Sequence, residues 1–168
     1  ISTKSDLLLR DIDLIRQLAE VAEVNIAYTI TCMDENIRRV IEPGGSSSLK
    51  RFQALEVLRS TKANRGVHLM PIIPYLTDTD ENLEEIVRRA KKAEVDYVLP
   101  GTLYLRGKTR PTFLSFYQEY NWQRCQKLKE YLYNKEVKSQ YKKELYQRLY
   151  GYYQKYDLKI YRGEKREK

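Results

Sequence analysis

The sequence predicts an α/β fold, a partial (half) βα barrel of the TIM type with parallel strands, followed by a helical C-terminal tail. Three observations predict it. Over the first hundred residues, short runs rich in β-branched residues alternate with segments of helical period, the pattern of βα units in a parallel sheet. About four such strands occur between Lys4 and Leu105, half of what a closed (β/α)₈ barrel needs. Beyond Arg110 the strand signal stops and helical periodicity takes over.

Taken in order, Ile1–Lys4 is short and β-prone. Asp6–Ala22 carries Leu8, Leu9, Ile12, Ile15, Leu18 and Ala19 at helical spacing, with Ser5 or Asp6 placed to cap it. Val24–Thr31 alternates and is β-branched, so it reads as a strand. Asp34–Val40 reads as a short helix, and residues 42–48 (Glu-Pro-Gly-Gly-Ser-Ser-Ser) as a loop. Leu49–Ser60 is a further helix, and Val67–Ile73 a strand closed by Pro74. Asp78 with Glu81 forms a capping-box pattern for a helix ending near Ala93. Val95–Leu105 is the last strand. The expected organisation is a barrel segment over 1–110, a Tyr- and Lys-rich helical extension over 111–161 and a frayed tail over 162–168. An open sheet of four strands could exist alone, but for a chain that opens in mid-strand the expectation is that N-terminal units are missing.

The extension holds 10 of the 15 tyrosines, between Tyr117 and Tyr156. Val137, Tyr141, Leu145, Leu149, Tyr153 and Tyr156 recur at three and four residues, one stripe of an amphipathic helix. Such a stripe suits a packing surface with wet hydroxyls, and in the sharper reading a platform for stacked bases.

At 168 residues the chain can bury a core without disulfides. Its two cysteines, Cys32 and Cys125, are far apart, and there is one histidine, His68. Neither a disulfide framework nor a four-ligand zinc site can be built from them, which points to a reducing, cytoplasmic setting. No apolar run approaches the ~18 residues of a membrane span, so no membrane partner is expected. Residues 1–100 hold 14 Lys/Arg against 16 Asp/Glu, while residues 101–168 hold 17 against 7. A C-terminal net charge of +10 fits a polyanion such as nucleic acid, or simply a solvated Lys-rich surface.

In parallel βα folds ligands gather at the C-terminal ends of strands, and three places there stand out. Lys4 ends a strand ahead of a helix N-terminus, a seat for a carboxylate or phosphate, although a solvent-facing lysine has the same sequence. In Val24–Thr31, residues Val24, Ile26, Tyr28 and Ile30 share one face, and Asn25, Ala27, Thr29 and Thr31 the other. A strand buried on both faces is apolar on both. The small polar face therefore belongs to a solvated cavity or to a wet edge. The Glu42–Ser48 loop lets backbone approach a ligand, with Glu42 as an acceptor and Arg51 on the next helix. An ordinary turn closed by a Glu42–Arg51 ion pair accounts for the same residues.

The runs Thr3-Lys4-Ser5-Asp6-Leu7 with Arg10-Asp11, Thr31-Cys32-Met33-Asp34-Glu35, Glu42-Pro43-Gly44 with Arg51, Pro71-Ile72-Ile73-Pro74 and Leu103-Tyr104-Leu105-Arg106 occur in that order. Together they resemble the C-terminal part of radical S-adenosylmethionine proteins of the spore photoproduct lyase-like group. The resemblance implies an enzyme that cleaves S-adenosylmethionine reductively to a 5′-deoxyadenosyl radical. Lys4 then matches the lysine that reaches the methionyl carboxylate, and Thr29 a small hydroxyl residue near that ligand. Glu42 and Arg51 match a loop glutamate and a helix arginine, and Pro71–Pro74 looks like the strand whose backbone passes the adenine side. The group's three clustered cysteines, whose thiolates hold a [4Fe–4S] cluster, are not in this sequence. The cluster is therefore expected only in a full-length protein, and this chain alone is expected to be inactive. A missing N-terminal half or a partner chain supplies the cluster, with homo-oligomerisation a further option. A non-catalytic half-barrel module whose basic tail contacts nucleic acid or protein is the alternative.

Overall fold

The computed structural model describes residues 1–158. Strands β1 (Ser2–Thr3), β2 (Asn25–Thr29), β3 (Asn64–Ile72) and β4 (Tyr97–Thr102) are all parallel and stand side by side in chain order. Thr3 lies opposite Tyr28, Thr29 opposite His68, and His68 opposite Leu99. The helices are α1 (Ile12–Val21), α2 (Glu35–Ile41), α3 (Ser48–Val57), α4 (Asp80–Lys92), α5 (Thr109–Tyr120), α6 (Trp122–Tyr133) and α7 (Lys135–Lys155).

One face of the sheet is the core. Ile26, Tyr28, Ile30, Val67, Leu69 and Val98 are buried with Phe52 and Leu55 of α3 and Leu83, Ile86 and Val87 of α4. Each side chain of this size contributes roughly 1.5–3 kcal/mol by leaving water, and Leu83, Ile86, Val87 and Ala90 fall at the spacing that gives α4 one apolar face. The opposite face carries Ala27 and Thr29, then Gly66 and His68, then Tyr97 and Leu99 in the same register. The Tyr97 ring lies so close over Gly66 that any side chain there would overlap it.

Several local expectations shift. The segment from Asp6 starts as a 3₁₀ turn (Asp6–Asp11), capped by the Ser5 side chain, before α1 begins at Ile12. Asp78 is not the cap of α4: Thr79 takes the Asn82 amide, while Asp78 accepts from the Tyr141 hydroxyl at 2.8 Å. In the extension, Asn121 and Asn134 each cap a new helix, which divides it into α5, α6 and α7.

Helix α7 docks on α4 through its stripe. Tyr141, Leu145, Leu149 and Tyr153 are buried, and Arg148 and Tyr152 both donate to Asp80. Those tyrosines are thus packing residues and not a stacking platform. One continuous apolar cluster runs from Ile15 to Leu158, joining the sheet layer to α5, α6 and α7. The expected frayed tail at 162–168 lies outside the described residues. Among the described residues no helix is long and apolar enough to cross a membrane.

Candidate functional site

A cleft of about 420 Å³ opens where the four strands end. Lys4 follows β1, Thr31 follows β2, Pro71 comes from β3 and Ile73 follows it, and Leu103 follows β4. The last turn of α2 adds Val40, Ile41 and Glu42, and α5 closes the wall with Phe113 and Phe116. Its surface is mainly apolar, with Lys4 and Glu42 as the charged groups.

Three of the five sequence-derived site residues form one chain of ion pairs. Lys4 Nζ stands 3.7 Å from Glu42 Oε1, and Arg51 Nη1 donates to Glu42 Oε2 at 2.6 Å. The same Arg51 nitrogen donates to the Thr29 carbonyl at 2.7 Å. The ion pair that an ordinary turn would have is therefore present, and it holds Glu42 in the cleft wall. Arg51 is fully buried, and its Nε and Nη2 have no acceptor among the described residues. Two cations against one carboxylate leave the chain with a surplus positive charge, and only Lys4 is half-exposed. An anionic ligand group would meet that charge at Lys4.

Thr29 stands elsewhere than expected. It is buried and off the cleft wall, and its link to the site is its carbonyl. The cleft opens past the end of β2, so Thr31, on the same face two residues on, lines it instead. The polar face of this strand is accordingly not a wet edge: Ala27, Thr29 and Thr31 are all buried. Pro71 lines the same cleft as Lys4 and Glu42.

Sequence reasoning missed Phe113 and Phe116. The available signal was that two of the chain's three phenylalanines fall three residues apart in the tail, the spacing of one helix face. It also missed Asn82, whose amide donates to the carbonyls of Thr31 and Thr77 and accepts from the Met33 amide. That side chain fastens the loop after β2 to the loop after β3. Ser46 likewise ties the Glu42–Ser48 loop to the first strand: its amide donates to the Lys4 carbonyl, and its hydroxyl donates to Asp6, holding that carboxyl below its ordinary range.

Fold and cleft together define a parallel α/β protein with a charged cleft at the strand ends. No family model matches the chain, and no solved structure matches it. It is similar to uncharacterized proteins of Mycobacterium tuberculosis and Mycobacterium bovis, each 31% identical over 114 residues, or 68% of this chain and 34% of the relative. An uncharacterized protein of Methanocaldococcus jannaschii is 29% identical over 133 residues, 79% of this chain and 41% of the relative. The chain therefore spans about a third to two-fifths of the length of these curated relatives.

Proposed function

We propose that this chain is the C-terminal half-barrel of a radical S-adenosylmethionine enzyme resembling the spore photoproduct lyase-like group, and that its cleft binds and positions S-adenosylmethionine. The observation that carries this reading is convergence: residues picked from separate segments for that ligand, Lys4, Glu42 and Pro71, face one cleft, with Arg51 behind Glu42. The residues suit the molecule. Lys4 has donors left for a carboxylate beside its long contact to Glu42, and Glu42 is an acceptor for an ammonium or a hydroxyl. Pro71, Ile73, Phe113 and Phe116 give apolar surface for a ring system.

The residues do not suit an iron–sulfur cluster. Burial pushes the Cys32 thiol up to about 11, and among the described residues no three His, Cys, Asp or Glu side chains form a metal-binding group. Reductive cleavage, the chemistry S-adenosylmethionine supplies when bound in such enzymes, is thus assigned to the rest of the protein. This chain accounts for holding the ligand. On this reading the exposed Leu14, Leu18 and Val21 of α1 lie where the rest of the protein, or a second copy, would pack. Two buried free cysteines suit a reducing, cytoplasmic compartment.

Isothermal titration of the chain with S-adenosylmethionine tests the proposal. Wild type is expected to bind, and Lys4→Met to bind about ten- to a hundredfold more weakly, since a charge-assisted hydrogen bond contributes roughly 1.5–3 kcal/mol. Its melting temperature should be unchanged, because Lys4 is half-exposed. No heat with wild type at millimolar ligand overturns the reading.

A second reading, a non-catalytic module that holds single-stranded nucleic acid, draws on cations over exposed rings: Arg110 lies 5.4 Å from the Tyr133 centroid and Lys129 5.5 Å from that of Trp122. It requires binding of labelled single-stranded DNA that falls steeply with salt. No binding at low salt removes it.

A further inference from the structure

We infer that Arg38 is a positioning residue for Glu42, acting on the backbone of the loop and not on the carboxylate. The inference rests on the reading of the cleft as a ligand site. Arg38 is in the last turn of α2 and is almost fully buried. Its Nη1 donates to the Glu42 carbonyl at 2.8 Å and to the Gly45 carbonyl at 2.9 Å. Those carbonyls stand at the two ends of a turn whose own closure is a single bond, Gly45 amide to Glu42 carbonyl at 3.1 Å. One nitrogen thus pins both ends.

The other side of the guanidinium extends the hold. Arg38 Nε donates to Glu35 Oε2 at 2.8 Å, and Glu35 Oε1 accepts from the Ser48 amide at 2.9 Å, where α3 begins. Helix α3 carries Arg51, which grips the Glu42 carboxylate. Glu42 is therefore fixed twice, through its carbonyl by Arg38 and through its side chain by Arg51. Gly45 sits between the two arginines, and a side chain there would overlap the Arg51 guanidinium. The Ser46 amide then links the turn to the Lys4 carbonyl. Arg38 touches no cleft surface, yet both charged groups of the cleft hang on the turn it closes. The planar fork of arginine suits this, because a lysine ammonium is a point donor that cannot serve the two carbonyls and Glu35 in the same geometry.

The test uses Arg38→Met, which keeps bulk without donors, and Arg38→Lys, which keeps the charge. Amide hydrogen exchange at Gly45 and Ser46 is expected to quicken at least tenfold in both, with Val67 and Leu69 in β3 unchanged. Titration should show S-adenosylmethionine bound about tenfold more weakly in both. If Arg38→Met does not fold, Arg38→Lys alone decides the matter. Unchanged exchange at Gly45 and Ser46 in a folded variant, or equal quickening across β3, overturns the positioning role. If wild type does not bind S-adenosylmethionine, the ligand assignment fails, while the exchange data still decide whether Arg38 holds the turn.

Discussion

Arg51→Met is expected to destabilise the chain by about 3–5 kcal/mol, the cost of breaking a buried ion pair from one side. For a chain of this size that corresponds to a fall in melting temperature of roughly 10 °C. The loss has two parts. The Thr29 carbonyl loses its donor, and the Glu42 carboxylate, itself mostly buried, loses its nearest cation. Lys4 cannot replace it, since it stands 3.7 Å away and is half in water. Arg51 already leaves two of its nitrogens without an acceptor among the described residues, so its burial is costly and the pair is not a strong net stabiliser. It follows that Glu42→Gln should also destabilise, by stranding a fully buried guanidinium. The double variant Arg51→Met with Glu42→Gln should lose less than the sum of the two single losses. Urea unfolding of the four proteins measures this. Additive losses would mean that the two side chains act independently and that the pair does not organise the cleft.

The difference between what local pattern reveals and what it hides is visible along this one network. The β-branched run before Thr31 and the Pro-Gly-Gly loop were legible because each obeys a period or a turn preference set by a few neighbouring residues. Glu42 and Arg51 were legible as a pair because the loop between them is short. Arg38 was not, because its partners are two carbonyls, and carbonyls leave no mark in a sequence. Asp78 was misread for a related reason: it has the right spacing to Glu81 for a capping box, but Tyr141, 63 residues away, claims its carboxylate, and the neighbouring Thr79 caps the helix instead. Thr29 was placed on the correct face of its strand and at the wrong height, since period fixes a face while the end of a strand is set by its neighbours in the sheet. The cleft's aromatic wall was hidden because α5 returns to the strand ends only in three dimensions. The inward turn of the tyrosine stripe, by contrast, follows from Leu145 and Leu149 sharing its face.

Arg65→Met is expected to be nearly as destabilising as Arg51→Met, about 3 kcal/mol, and to leave the cleft intact. Arg65 is the second residue of β3, on the face that meets the helices, where alternation alone predicts an apolar side chain. Its guanidinium instead ends on three carbonyls: Nη1 donates to Leu55 and Ala93, both at 3.0 Å, and Nη2 to Glu94 at 2.6 Å. Two of these belong to the end of α4, where Glu94 takes a positive φ of 51° and the chain turns into β4, and the third belongs to α3. One side chain thus satisfies helix-terminal carbonyls that would otherwise be short of donors. Hydrogen bonds from a charged donor contribute roughly 1.5–3 kcal/mol each, but the three share one guanidinium and the carbonyls can partly rehydrate, so the loss is far below their sum. The Asp96 carboxylate, which accepts from the Arg65 backbone amide at 2.6 Å, remains to hold the strand start. Arg65 sits at the N-terminal ends of the strands and the cleft at their C-terminal ends, the usual separation of scaffold from site in parallel βα folds. On the proposed function, a folded Arg65→Met protein should therefore melt earlier and still bind S-adenosylmethionine as wild type does, whereas Lys4→Met should do the reverse. Measuring melting temperature and ligand affinity on the two variants side by side checks both expectations. An Arg65→Met protein that has lost affinity in proportion to its stability would show that the two ends of the sheet are not independent.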